Sequence, residues 1–112
     1  MSGLRDHMTD SLVWRERSGL AGDRAPALVC LHGIGSDAQS FDALAQALPA
    51  DIRVIAWSAP GYGASAPLGM DWPRAQDYAA ALAGLTDRLG LGRYLVLGHS
   101  LGTLIGAAHA LA

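Results

Sequence analysis

Tyr94-Leu95-Val96-Leu97-Gly98-His99-Ser100-Leu101-Gly102 is the stretch from which the rest of the chain is best read. An apolar run, rich in branched residues, leads into a serine set between two glycines. A helical pattern follows at once through Leu101, Leu104, Ile105, Ala108 and Leu111. Continuous rather than alternating hydrophobicity is what a strand covered on both faces shows. Glycines at 98 and 102 let the backbone turn sharply and let the helix start close against the strand. The local structure is therefore strand, tight turn and helix, with Ser100 at the apex.

Working outward, two earlier segments repeat the buried-strand pattern: Ala27 to Leu31, and Ile52 to Trp57, interrupted by Arg53. Phe41, Leu44, Ala45 and Leu48 fall at i, i+3, i+4 and i+7, with Ser36 or Asp37 as cap and Pro49 beyond. Asp71 opens a second helical pattern, which tolerates Pro73 in its first turn and runs through Tyr78, Leu82, Leu85 and Leu89 to Gly90. Gly102, Gly106 and Ala110 make a small-residue stripe on the third helix. Segment Ser11 to Arg17 is a candidate outer strand. This alternation implies the α/β class: a partial parallel sheet with flanking helices. It places one domain at residues 11–112, behind a mobile polar tail at residues 1–10. The last helix meets no stop signal, and three or four strands make a narrow sheet. The chain is thus expected to be the front of a larger fold, cut after the serine-bearing helix.

Composition narrows the function classes. Hydrophobic residues make up 51% and charged residues 16%, which favours a buried core over disorder. A net charge of −2 gives nucleic acid or an anionic membrane nothing to bind, so neither is expected as a partner. The single cysteine, Cys30, lies in an apolar run and reads as a buried hydrophobe; no intrachain disulfide is possible. The N-terminus has no apolar signal region, and Leu101 to Ala112 is shorter than the roughly 20 residues a membrane span needs. A cytoplasmic location is expected. No Cys/His cluster has metal-ligand spacing, so no metal is expected. Gly61 to Ala66 matches G-x-G-x-x-A, a dinucleotide fingerprint. Pro60 and Pro67 make that stretch a loop, and no acidic residue stands near Ala81, so no cofactor is expected.

Ser100 sits in G-x-S-x-G, the pattern of a nucleophile elbow. A serine nucleophile needs a base, usually oriented by an acid. After Ser100 there is one histidine, His109, and no Asp or Glu. Nine helical positions put His109 about 13 Å along the axis, out of reach of the hydroxyl. His99 is adjacent, but its side chain should point away at a tight elbow. His32 reads as a loop-holding residue, and His7 falls in the tail. No complete triad can be assembled. The plainer use of Ser100 is as a helix cap.

Two further motifs stand after the earlier strands: His32-Gly33-Ile34-Gly35, and Pro60-Gly61-Tyr62-Gly63-Ala64-Ser65. With Gly98 to Gly102, and in this order, they make the chain from about Leu12 to Ala112 resemble the N-terminal half of an α/β-hydrolase of the esterase, lactonase and carbon–carbon hydrolase type. The resemblance implies that Ser100 is the nucleophile and that the backbone N–H groups of Leu101 and Ile34 form an oxyanion hole, with Gly33 as the other candidate donor. It makes His32, Gly98, His99 and Gly102 supporting residues and has the Ile34 side chain shape an acyl pocket. The implied substrate is a small acyl compound: an ester, lactone, thioester or similar. Acyl transfer and haloperoxidase-like chemistry share this half of the fold. Ser58, two residues before Pro60, stands where many relatives carry Asp. The missing downstream acid and histidine are the larger departure. By itself the 112-residue chain is expected to be inactive and to depend on a missing C-terminal half or a second chain. The alternative is a non-catalytic remnant or interaction module.

Overall fold

Side chains alternate across β3 (Ala27–Leu31) and β4 (Arg53–Trp57), and both faces are buried, so these strands are covered twice. Val29, Leu31, Ile55 and Trp57 enter one core with Leu82 and Leu85 of α2 (Ala75–Arg88) and Ile105 of α3 (Leu101–Leu111). Cys30, Val54 and Ala56 point the other way and pack with Phe41 and with Ala45 of α1 (Asp42–Ala47). The computed structural model describes residues 4–112. No helix among them is long and apolar enough to cross a membrane.

The sheet has five strands in the order β1-β2-β4-β3-β5, where β1 is Arg5–Thr9, β2 is Leu12–Arg17 and β5 is Tyr94–Gly98. β3 runs parallel to both β4 and β5, with Val29 opposite Ile55 and Val96. β2 pairs antiparallel with β4 and with β1, so the sheet is mixed rather than wholly parallel. The outer strand expected at Ser11 to Arg17 is β2.

Arg5–Thr9, read from sequence as part of a mobile tail, form a strand instead; residues 1–3 lie outside the described residues. Asp10 and Ser11 both take positive φ (50° and 69°), the two-residue turn whose twist matches a hairpin. Arg5 then lies opposite Glu16, Asp6 pairs with Arg15 at 3.5 Å, and the His7 ring stacks on Trp14 at 4.4 Å. Four of the five β1 residues are exposed, so no apolar pattern marked the strand.

Two helix starts are set by carboxylates. Asp37, not Ser36, caps the 3-10 turn before α1, accepting from the Gln39 N–H at 3.0 Å. α2 begins at Ala75 rather than Asp71, because Asp77 reaches back to accept the Arg74 N–H at 2.7 Å. Arg17, buried at the end of β2, donates to the carbonyl oxygens of Ala45, Leu48, Pro49 and Ile52. One guanidinium thereby pins the end of α1 to the entry of β4.

Candidate active site

β5 ends at Gly98 and α3 starts at Leu101, which leaves two residues for the turn. Ser100 is driven to φ 56° and ψ −118°, a region that L residues avoid at a cost of about 1–3 kcal/mol. The flanking glycines are a steric necessity. A Cβ on Gly98 would stand 2.6 Å from the Gly102 carbonyl oxygen, and one on Gly102 would overlap the Leu31 carbonyl. The His99 N–H donates to Leu31 O at 3.0 Å, tying the turn to the end of β3. Ser100 is exposed, and its side chain makes no capping bond to α3. The plain helix-cap reading is therefore not what this serine does.

Because β3 and β5 are parallel neighbours with Leu31 opposite Gly98, the loop after β3 emerges beside the elbow. A Cβ on Gly33 would lie 3.0 Å from Ser100 Cβ and 3.2 Å from His99 Nδ1, so loop and elbow are in close contact. At the start of α3 the Gly102 and Thr103 N–H groups bond to His99 O and Ser100 O. The N–H groups of Leu101 and Ile34 find no acceptor among the described residues. The Gly33 N–H, the other candidate donor, is likewise without an acceptor, so unpaired donors stand on both segments that meet at Ser100.

His32 holds this loop from behind. Its buried ring donates from Nδ1 to Gly33 O at 2.8 Å and accepts the Ala59 N–H at Nε2 at 3.0 Å. A carbonyl only accepts and an amide N–H only donates, so these partners set the neutral tautomer. Burial pushes the His32 pKa below 6.5, against the opposing pull of the Gly33 bond and the Asp37 charge. With both nitrogens engaged, this ring has none free to serve Ser100. His109 is bonded through Nε2 to the Tyr94 hydroxyl at 2.5 Å, and His7 is stacked on Trp14. No hydrogen bond reaches the Ser100 hydroxyl among the described residues.

An open cleft of about 520 Å³ lies against the elbow, and Gly33, Ile34, Gly98, His99 and Ser100 all line it. Gly102 and His32 are buried behind that lining. Phe41, Leu44 and Leu97 form the apolar remainder of the wall, together with Ser36 and Ser40. Sequence reading placed Phe41 and Leu44 on a helix core face and Leu97 in a buried strand. The missed signal was their position downstream of His32 and just upstream of Ser100, at the same end of the parallel strands. Ser58 has the loop role expected of it: its Oγ accepts the Ala38 N–H at 3.1 Å, and its carbonyl accepts from Ser65 Oγ at 2.6 Å. Cys30 is fully buried, and burial pushes its thiol pKa up to about 12, so it is an inert hydrophobe. No cluster of three His, Cys, Asp or Glu suited to a metal occurs among the described residues.

Comparison with known proteins bears on the family and the fold. The model of the alpha/beta hydrolase family matches residues 28–112. A 2-hydroxy-6-oxononadienedioate/2-hydroxy-6-oxononatrienedioate hydrolase of Pseudomonas putida is 37% identical over 95 residues, which are 81% of this chain and 33% of that protein. A serine hydrolase-like protein of Homo sapiens is 32% identical over 74% of this chain and 41% of its own length. The crystal structure of an alpha/beta hydrolase from Novosphingobium aromaticivorans superposes with a TM-score of 0.85 at 28% identity, covering 99% of this chain and 40% of that one. The chain therefore spans about a third to two fifths of the length of these three proteins.

Proposed function

The chain belongs to the alpha/beta hydrolase family, and on that footing we propose that Ser100 is the nucleophile of an acyl hydrolase. The observation that carries the reading is the strained elbow: an exposed serine hydroxyl with no intramolecular task, held at positive φ, with unpaired N–H groups on its own helix start and on the facing loop. Attack by Ser100 Oγ on an ester, lactone or thioester carbonyl would leave negative charge on the carbonyl oxygen. The N–H groups of Leu101 and Ile34 are the donors assigned to that oxygen, each worth about 2.7–4 kcal/mol in comparable sites. His32 is a positioning residue for the Ile34 loop. None of His7, His32, His99 and His109 is hydrogen-bonded to the Ser100 hydroxyl among the described residues, and in this reading an acid and a histidine outside residues 1–112 activate it.

A fluorophosphonate probe tests this. We expect Ser100 in the isolated chain to react slowly and incompletely, because its hydroxyl is not activated. Rapid, stoichiometric labelling would show that no further base is needed.

A second reading has one observation in its favour. Leu95 of the edge strand β5 and Leu104 of α3 are 73% and 62% exposed, as befits a surface that another chain covers. In that reading the half-core is an interaction module. Equal, unspecific probe reactivity of wild type and Ser100→Ala would favour it.

A further inference from the structure

The Ile34 N–H shares a peptide plane with the Gly33 carbonyl. In a trans peptide the two point in opposite directions, and no cis bond occurs among the described residues. Whatever holds Gly33 O therefore aims the Ile34 N–H. Two donors hold it: His32 Nδ1 at 2.8 Å and the Ser36 N–H at 3.2 Å. The second bond closes a four-residue turn from Gly33 to Ser36. Gly35, third in that turn, supplies the positive φ (78°) that a type II turn needs there. Ile34 stands second, where the turn leaves its N–H free.

Both ends of this loop are fastened by two consecutive residues of the segment after β4. At the near end the Ala59 N–H donates to His32 Nε2 at 3.0 Å. At the far end Ser58 Oγ accepts the Ala38 N–H at 3.1 Å. The fastening residues are anchored in turn. The Ser58 N–H donates to Val13 O at 2.8 Å. Ser65 Oγ accepts the Val13 N–H at 2.8 Å and donates to Ser58 O at 2.6 Å. Ser58 and Ser65 are buried, so water does not compete for these bonds. A Cβ on Gly63 would stand 2.9 Å from Ser58 Oγ, so glycine leaves that hydroxyl its place.

Resting on the reading of Ser100 as nucleophile and the Ile34 N–H as an oxyanion donor, we propose that Ser58 is a positioning residue for that donor. Its hydroxyl and the Ala59 N–H beside it close the loop 32–38 at both ends, and Ser65 and Gly63 keep Ser58 in place. The direction of the Ile34 N–H is thereby set by residues that never touch the substrate. Such a brace acts on the transition state, where the oxyanion exists, and leaves binding of the uncharged carbonyl compound unchanged.

The test is fluorophosphonate labelling of Ser100 in the 112-residue chain with imidazole added as base, followed against probe concentration. Losing a whole donor costs about 10²–10³ in comparable sites, so a donor mis-aimed by Ser58→Ala is expected to lower the limiting rate about ten-fold. The half-saturating probe concentration is expected to stay within about two-fold, the mark of an interaction made in the transition state. In backbone NMR spectra the Gly33, Ile34 and Gly35 amides are expected to move while those of Leu95 to Leu97 stay. Gly63→Ala displaces the same hydroxyl by another route and serves if Ser58→Ala fails to fold. Thr86→Val removes a buried hydroxyl that bonds within α2, and it is expected to label like wild type. A wild-type labelling rate in Ser58→Ala, an unmoved Ile34 amide, or an equal slowing by Thr86→Val would overturn the proposal. If wild type forms no adduct on Ser100, the nucleophile reading falls. The brace then stands or falls on the Ile34 amide alone: a shift in Ser58→Ala upholds it, and no shift defeats it.

Discussion

Replacing Ser100 with glycine should make this protein more stable. At φ 56° and ψ −118° the serine sits where a Cβ is strained, at about 1–3 kcal/mol. Its hydroxyl makes no capping bond and is exposed, so little native interaction is lost. Glycine carries a countervailing cost of about 0.5–1 kcal/mol through the freedom it gains in the unfolded chain. The balance is a stabilisation of about 1 kcal/mol, or roughly 4–8 °C in Tm for a domain near this size. Ser100→Ala keeps the Cβ and hence the strain, so its Tm should match that of wild type. Thermal and urea unfolding of the three chains decide the matter. A glycine variant no more stable than the alanine variant would show that the elbow is unstrained, and the inference from strain to function would fall.

His32 gives a pH dependence with a definite sign. Its folded pKa lies below 6.5, so the unfolded chain takes up the proton first. Its contribution to stability is complete above the unfolded value and is lost as pH falls through 6.5 toward the folded value. Urea unfolding from about pH 8 to about pH 5 should show that decline, and His32→Phe should remove this part of the slope; an unchanged slope in the variant would refute it. Arg17→Met should cost about 3 kcal/mol or more by urea unfolding, because buried carbonyl oxygens lose a charged donor. Arg17→Lys should restore only part of that loss, since a single ammonium cannot span the fork; a loss under about 1 kcal/mol in the methionine variant would contradict the pinning role.

The elbow was legible because its constraint is local: no side chain fits at Gly98 or Gly102 once a helix starts that close to a strand. The inner strands were legible because burial on both faces writes a continuous apolar run. β1 was not, since an exposed edge strand needs no apolar residue and Arg5–Thr9 is held by partners on β2. Its turn, Asp10-Ser11, carries positive φ without the glycine that usually announces it. The cleft wall was hidden for a different reason. Phe41 and Leu44 satisfy a helical core pattern equally well whether they meet a sheet or a ligand, and only the parallel pairing of β3 with β5 brings them beside Ser100. Only one of the two bonds of the His32 ring is local: Gly33 O is adjacent in sequence, whereas the Ala59 N–H comes from the far side of β4.

The most direct measurement on Ser100 is mass-spectrometric mapping of the fluorophosphonate adduct, with and without added imidazole as a substitute base. The reading advanced here predicts a slow adduct on Ser100 alone, accelerated by imidazole and absent from Ser100→Ala. An adduct on another residue, or a rate at Ser100 that imidazole leaves unchanged, would contradict it.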